Sequence, residues 1–231
     1  MTQQNSVQDS WKQLAGSAAA QLIEDGMLIG LGTGSTAAHL LAALAQRIQA
    51  GLRIKGAIPS SQTTRAIAEG LGIPLTDLDT YSDLDLYIDG ADEIDPQLQL
   101  IKGAGGALLR EKIVASCARR FVVIADTSKL VSQLGLRYPV PVETIPFAVS
   151  PVRKRLESLG ALVQVRQHEG RPYITDNNNM ILDCTFQGGI SDSLELDAHM
   201  HSIVGVVETG LFLRMAQQAI IGGPNGVQVL P

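Results

Sequence analysis

Apolar residues along the first half of the chain alternate between two spacings. Leu14, Ala15, Ala18, Ala19, Leu22 and Ile23 recur at helical spacing, with Ser10 placed to cap their helix. The continuous apolar run Met27 to Leu31 then reads as a short buried strand. Leu40, Leu41, Leu44 and Ile48 return to helical spacing, and Gly51 supplies the stop. Ile54 to Ile58 reads as a strand, Ser60 or Ser61 as the cap of a helix through Leu71, and Leu84 to Ile88 as another strand. Leu98 to Ile101 is a short extended piece, Ala107 to Ala118 a helix and Phe121 to Ala125 an apolar strand. Strands alternating with helices predict an α/β fold, a parallel sheet covered by helices on both faces.

Beyond Tyr138 the rhythm breaks, with Pro139, Pro141, Pro146 and Pro151 punctuating the chain. Val152 to Leu159 then looks helical and Ala161 to Val165 extended. Tyr173 to Ile174 and Met180 to Phe186 look like strands joined by the turn-rich Asp176-Asn177-Asn178-Asn179. A helix near Ser193 to His201 and a strand at Val204 to Val207 complete an αββαβ-like order, predicting a small α+β lid domain. The end, from Ala219 to Leu230, reads as two strands around Gly222-Gly223-Pro224-Asn225-Gly226. The expected division is residues 1–137 with 208–231 as the main domain and 138–207 as the smaller one.

Composition narrows the function classes. The 231 residues are 45% apolar, enough for a substantial core. A formal net charge of -5 without a basic run argues against nucleic acid as a partner. Cys117 and Cys184 lie far apart without metal-ligand spacing, and each is expected to be a small buried hydrophobe. His199 and His201 lack a third ligand nearby, so no metal site is expected. The polar segment Met1 to Gln8 lacks the core of a signal peptide and no stretch is long and apolar enough to cross a bilayer, which makes cytoplasmic the expected location.

The candidate chemistry sits directly after the buried strands, where open α/β sheets bind ligands. Gly32-Thr33-Gly34-Ser35-Thr36 joins a strand to a helix and offers free amides and hydroxyls to an anion, or else forms a tight, capped turn. It lacks the lysine of a Walker A loop, and Ser35 takes the place of the last glycine of a dinucleotide fingerprint. Asp89, Asp92, Glu93 and Asp95 crowd together after the next strand, suited to metal binding, to acid–base work or simply to a solvated acidic loop. Lys102 precedes the glycine-rich Gly103-Ala104-Gly105-Gly106. Local pattern alone makes Arg110-Glu111-Lys112 a charged helix surface and leaves Lys129, in Asp126-Thr127-Ser128-Lys129, open between a functional and a solvated role.

Five ordered segments together resemble the A-type ribose-5-phosphate isomerase family: Gly30 to Ala37, Asp89 to Asp95, Lys102 to Ala107, Arg110 to Ile113 and Gly205 to Phe212. The likeness runs from Trp11-Lys12 to Gly226 to Leu230. It implies a Rossmann-like domain with a smaller α+β (ferredoxin-like) lid. It also implies interconversion of ribose 5-phosphate and ribulose 5-phosphate in the pentose phosphate pathway, without cofactor or metal, by a homodimer or homotetramer. By the same resemblance Glu111 is the general base, Lys102 stabilises the developing oxyanion and Asp89 assists ring opening. The substrate-binding residues it implies are Lys12, Thr33, Gly34, Ser35, Thr36, Asp89, Gly90, Ala91, Asp92, Lys102, Gly103, Ala104, Gly105 and Lys129. One departure is Ala104, where the family carries consecutive glycines; activity should survive if Ala104 keeps an ordinary backbone conformation. A sugar-phosphate sensor that regulates transcription would need a basic DNA-binding module, for which the N-terminus leaves no room. An amino-sugar phosphate deaminase or a coenzyme A transferase explains the Lys102 and Glu111 spacing less well.

Overall fold

Short apolar runs that lie too close together for helices pair laterally, and the amphipathic stretches between them fold back as crossover helices. The computed structural model describes residues 2–231, with side chains from Ser6 onward. From the N-terminus the elements are α1 (Thr2–Ala20), β1 (Leu28–Leu31), α2 (Ser35–Gln49), β2 (Gly56–Pro59), α3 (Gln62–Gly70), β3 (Leu86–Gly90), β4 (Glu93–Ile94) and β5 (Leu100–Ile101). Then come α4 (Leu108–Ser116), β6 (Phe121–Asp126), β7 (Val140–Thr144), α5 (Val149–Ser158), β8 (Leu162–Val165), β9 (Gln167–His168) and β10 (Arg171–Pro172). The chain finishes with β11 (Met180–Thr185), α6 (Ser193–His201), β12 (Val206–Thr209), β13 (Leu211–Phe212), β14 (Gln218–Gly223) and β15 (Gly226–Leu230).

Two compact units emerge. The first comprises the chain up to Ala91, Arg110–Lys129 and Met215–Pro231. Its sheet has the order β15-β14-β6-β3-β1-β2, parallel except for β15. All residues of β1 and β6 are buried, as a sheet covered on both faces requires. Ala15, Ala19 and Ile23 from the first helical stretch and Leu40, Leu41 and Leu44 from α2 pack with Ile29, Leu31 and Ile88 in its core. Strands β2 and β3 lie on opposite sides of β1, so successive crossovers diverge there and open the crevice at which such sheets bind ligands.

The second unit, Asp92–Leu109 with Leu130–Arg214, is α+β. Its four-stranded sheet has the order β12-β7-β11-β8 and is antiparallel throughout. With α5 and α6 this makes a βαββαβ, ferredoxin-like arrangement. Val140, Val142, Val152, Leu156, Leu182 and Met200 form its core. The stretches 92–109, 130–137 and 208–214, which the sequence pattern groups with the first domain, cluster here. The contacts responsible are local to this unit: β5 pairs with β13 and β4, and the Glu93 carboxylate takes the amides of Gly135, Arg137 and Tyr138.

Three expectations are corrected. Ser10 caps nothing; α1 starts at Thr2, and the Ser10 hydroxyl donates back to the Val7 carbonyl at 2.7 Å, which satisfies it inside the helix. The proline-rich stretch contains a central strand, β7, because Pro141 faces Gly210 just past the end of β12: its carbonyl accepts the Gly210 amide at 2.7 Å, and the Gly210 carbonyl takes the Lys102 amide at 2.9 Å, so no amide is needed at position 141. Cys184 is buried as expected, but Cys117 is half-buried. Among the described residues no helix is long and apolar enough to cross a membrane.

Candidate active site

In the first unit the ends of β1, β3 and β6 lie side by side, so the segments that follow them share one edge of the sheet. Gly32 is obligatory for its space: a Cβ there would sit 2.0 Å from Asp89 Oδ1. The Asp89 side chain therefore lies across β1, and its Oδ1 accepts the amides of Thr33 at 2.9 Å and Gly90 at 2.6 Å. Its Oδ2 accepts the phenol of Tyr87, two residues back on the same face of β3. Asp89 and Tyr87 are fully buried. Burial raises the Tyr87 phenol well above its usual pKa, and the Asp89 and Glu111 carboxylates push it further in the same direction.

The Thr33 hydroxyl belongs to a cluster. It meets Ser60 Oγ at 3.1 Å, Ser61 Oγ at 2.9 Å and Thr64 Oγ1 at 3.1 Å. Ser61 also caps α3 by accepting the amide of Thr64 at 3.0 Å. Ser35 opens α2, and Lys12 from α1 donates to its hydroxyl at 3.1 Å. The α2 N-terminus, these hydroxyls and the Lys12 ammonium suit a phosphate. On α4, Glu111 is only 4% exposed, which overturns its local reading as part of a solvated helix face. Lys129 ends the short turn that follows β6, where Asp126 Oδ1 accepts the Ser128 amide at 2.9 Å.

In the second unit Lys102 is 3% exposed, with its ammonium 5.3 Å from the centre of the Phe212 ring, within range of a cation–π contact. The glycine-rich turn after it is held from two sides. Asp92 Oδ2 accepts the Ala104 amide at 2.9 Å. Arg166 Nη1 donates to the carbonyls of Gly103 at 2.6 Å and Ala104 at 3.2 Å, while its Nε and Nη2 form a two-pronged pair with Asp183. Gly106 has φ of 83° and lies so close to the Tyr173 ring that a Cβ would come within 2.3 Å of its hydroxyl. Ala104 is not among the non-glycine residues with positive φ, so the methyl is accommodated without strain. Glu93, in the same acidic segment, is fully buried and holds the 135–138 loop, which removes it from any solvated-loop reading.

The expected site residues therefore fall into two groups. Lys12, Thr33 to Thr36, Asp89, Gly90, Ala91, Glu111 and Lys129 belong to the first unit, and Asp92 with Lys102 to Gly105 belongs to the second. Tyr87, Thr64, Arg166, Asp183 and Tyr173 escaped the sequence reading as site residues, and Ser60 and Ser61 carried a signal there as helix caps alone. His201, by contrast, is committed to a structural pair with Asp197 and Glu208 on α6 and β12.

A family model described as ribose 5-phosphate isomerase A (phosphoriboisomerase A) matches residues 56–226. The chain is 51% identical over 217 residues to the ribose-5-phosphate isomerase A of Bacillus mycoides, covering 94% of this chain and 97% of that protein. The chain belongs to the ribose-5-phosphate isomerase A family. Other members are comparably close: the Synechococcus sp. (strain JA-3-3Ab) protein is 51% identical over 225 residues, 96% of this chain and 97% of that protein. Among solved members, ribose 5-phosphate isomerase from Plasmodium falciparum superposes with a TM-score of 0.93 at 39% identity, covering 96% of this chain and 98% of that one. A D-ribose-5-phosphate isomerase solved with phospho-erythronic acid gives a TM-score of 0.92 at 39% identity, covering 96% and 97%. The Rossmann-like and ferredoxin-like folds of the two units are thus those of the family.

Proposed function

We propose that this chain interconverts D-ribose 5-phosphate and D-ribulose 5-phosphate, a step of the pentose phosphate pathway, with Glu111 as the base. Glu111 takes the proton from C2 of the open-chain aldose, and the C–H electrons form the C1–C2 double bond of an enediolate. Negative charge moves onto the carbonyl oxygen, where the Lys102 ammonium stabilises it. The same glutamic acid returns the proton to C1 as the C2 oxygen becomes the ketone and its hydroxyl proton passes to the C1 oxygen. Atoms and electrons balance without an external oxidant.

The observation that carries this reading is the burial of Glu111 in a helix whose local pattern gives it no reason to be buried. A carboxylate buried on α4 at that cost to solvation supports a role in the reaction. Asp89, held by the Thr33 and Gly90 amides and the Tyr87 phenol, suits acceptance of the proton of the furanose hydroxyl as the ring opens, and Asp92 suits a sugar ligand. Lys12, Ser35 and the α2 N-terminus suit the phosphate, with Gly34, Thr36, Gly90, Ala91, Gly103, Ala104, Gly105 and Lys129 lining the substrate. Phospho-erythronic acid, seen with a relative, joins a phosphate to a planar carboxylate that has the outline of an enediolate. Residence in the cytoplasm and a homodimeric or homotetrameric state belong to the same proposal.

The test is conversion of ribose 5-phosphate by purified protein in the presence of EDTA. Wild type should be active, and Glu111→Gln should lose at least about a hundredfold in kcat, the scale of a lost general base. An inactive wild type, or a variant with full turnover, overturns the reading.

A further inference from the structure

Tyr87 stands apart among the buried side chains of the first unit. It places a hydroxyl beside Asp89, and nothing in packing calls for one. Its ring stacks on Phe121 with centroids 4.9 Å apart, and a Cβ on Gly30 would come within 2.5 Å of it. A phenylalanine would fill that space equally well. The hydroxyl instead donates to Asp89 Oδ2. On the functional reading above, we infer that Tyr87 is a positioning residue for this reaction: its phenol adds to the two backbone amides that fix the Asp89 carboxylate.

The chemistry follows from which oxygen each donor takes. Asp89 Oδ1 is occupied by two backbone amides, so the phenol orients the other oxygen. With both oxygens engaged, the carboxylate is held in one orientation. The phenol itself is held protonated by burial and by the two carboxylates near it, which makes it a fixed donor and no acid. The charged groups acting on it are Asp89 from its own strand and Glu111 from α4. Strand β1 brings only glycines to this face, β6 brings Phe121 and Val123, and the turn after β2 brings the Ser60 hydroxyl. Through Ser60 the phenol also connects to the Thr33 hydroxyl cluster.

The deciding variant is Tyr87→Phe, assayed for kcat and KM with ribose 5-phosphate beside wild type. We expect kcat to fall roughly 10- to 100-fold, the span for losing a hydrogen bond to a charged group, with KM held within about twofold. A variant that only melts earlier while keeping the wild-type kcat and KM shows a packing role and overturns the inference. Should Tyr87→Phe fail to fold, replacing Tyr87 with 3-fluorotyrosine decides: a more acidic phenol donates more strongly, so kcat changes while KM holds, and an unchanged kcat overturns the inference. An inactive wild type removes the functional reading and this inference with it. An active wild type with an unchanged Tyr87→Phe kcat removes this inference alone.

Discussion

Arg166 shows how a residue outside every recognisable motif governs one inside it. Four of its donor contacts are divided between Asp183 and the carbonyls of Gly103 and Ala104, so one planar fork ties the glycine-rich turn to the antiparallel sheet. Lysine keeps the charge but not the fork. Arg166→Lys is therefore expected to destabilise the protein by roughly 1–3 kcal/mol and to lower kcat while Asp183 stays in place. Chemical denaturation and steady-state rates check this; unchanged values for both would show the turn to be self-supporting. None of this was visible in the sequence, because the partners of Arg166 lie 17 and 63 positions away. The burial of Glu111 was not legible from local pattern, since charged neighbours on a short helix look the same whether they face water or the interior, and its proposed role came only through the order of the family's motifs. Asp89 and Lys102 were easier to single out as candidates, as each follows directly on an apolar strand.

At the scale of elements, α6 is tied to β12 by His201. Its Nε2 lies 2.7 Å from Glu208 Oε1 and its Nδ1 2.9 Å from the Asp197 carbonyl, so both ring nitrogens face acceptors and the imidazolium is favoured. Hydrogen bonds to Asp197 and then Glu208 raise its pKa to about 10. A folded pKa above the unfolded value of about 6.5 means the stabilisation is complete below that value and disappears as pH rises through about 10. At 38% side-chain exposure the effect is screened and modest in size. His201→Gln should flatten the loss of stability between about pH 6 and about pH 11 relative to wild type, read from urea midpoints. Parallel curves for the two proteins would exclude this role. Periodicity located α6 well but missed β7, because proline is normally evidence against a central strand. What admits Pro141 is its place beside Gly210, whose carbonyl is already taken by the Lys102 amide, an arrangement that only the assembled sheet contains.

For the whole molecule, the alternation of strands and helices was enough to anticipate a parallel sheet and a separate α+β unit. The stretches 92–109 and 130–137 were harder to assign, since their allegiance is set by β4, β5 and the Glu93 carboxylate, all of them tertiary contacts. Identity of about half over nearly the full length of the relatives extends the likeness beyond any single motif. The proposed homodimer or homotetramer predicts a solution mass near two or four times the 24.5 kDa chain. Light scattering coupled to gel filtration measures it directly, and a 24.5 kDa particle at micromolar concentration would rule the assembly out.

The bare stretch of β1 has a bearing on how this enzyme can be altered. With hydrogen in place of side chains at Gly30 and Gly32, the strand acts as a mould that receives Tyr87 and Asp89 from its neighbour. The acid's location is dictated by atoms that are missing, and its loop only borders the cast. Engineering of substrate preference can therefore diversify the proposed substrate contacts, Ser35 or Lys129, while the mould stays as it is. A single methyl at position 32 displaces the carboxylate itself, whatever the rest of the loop becomes.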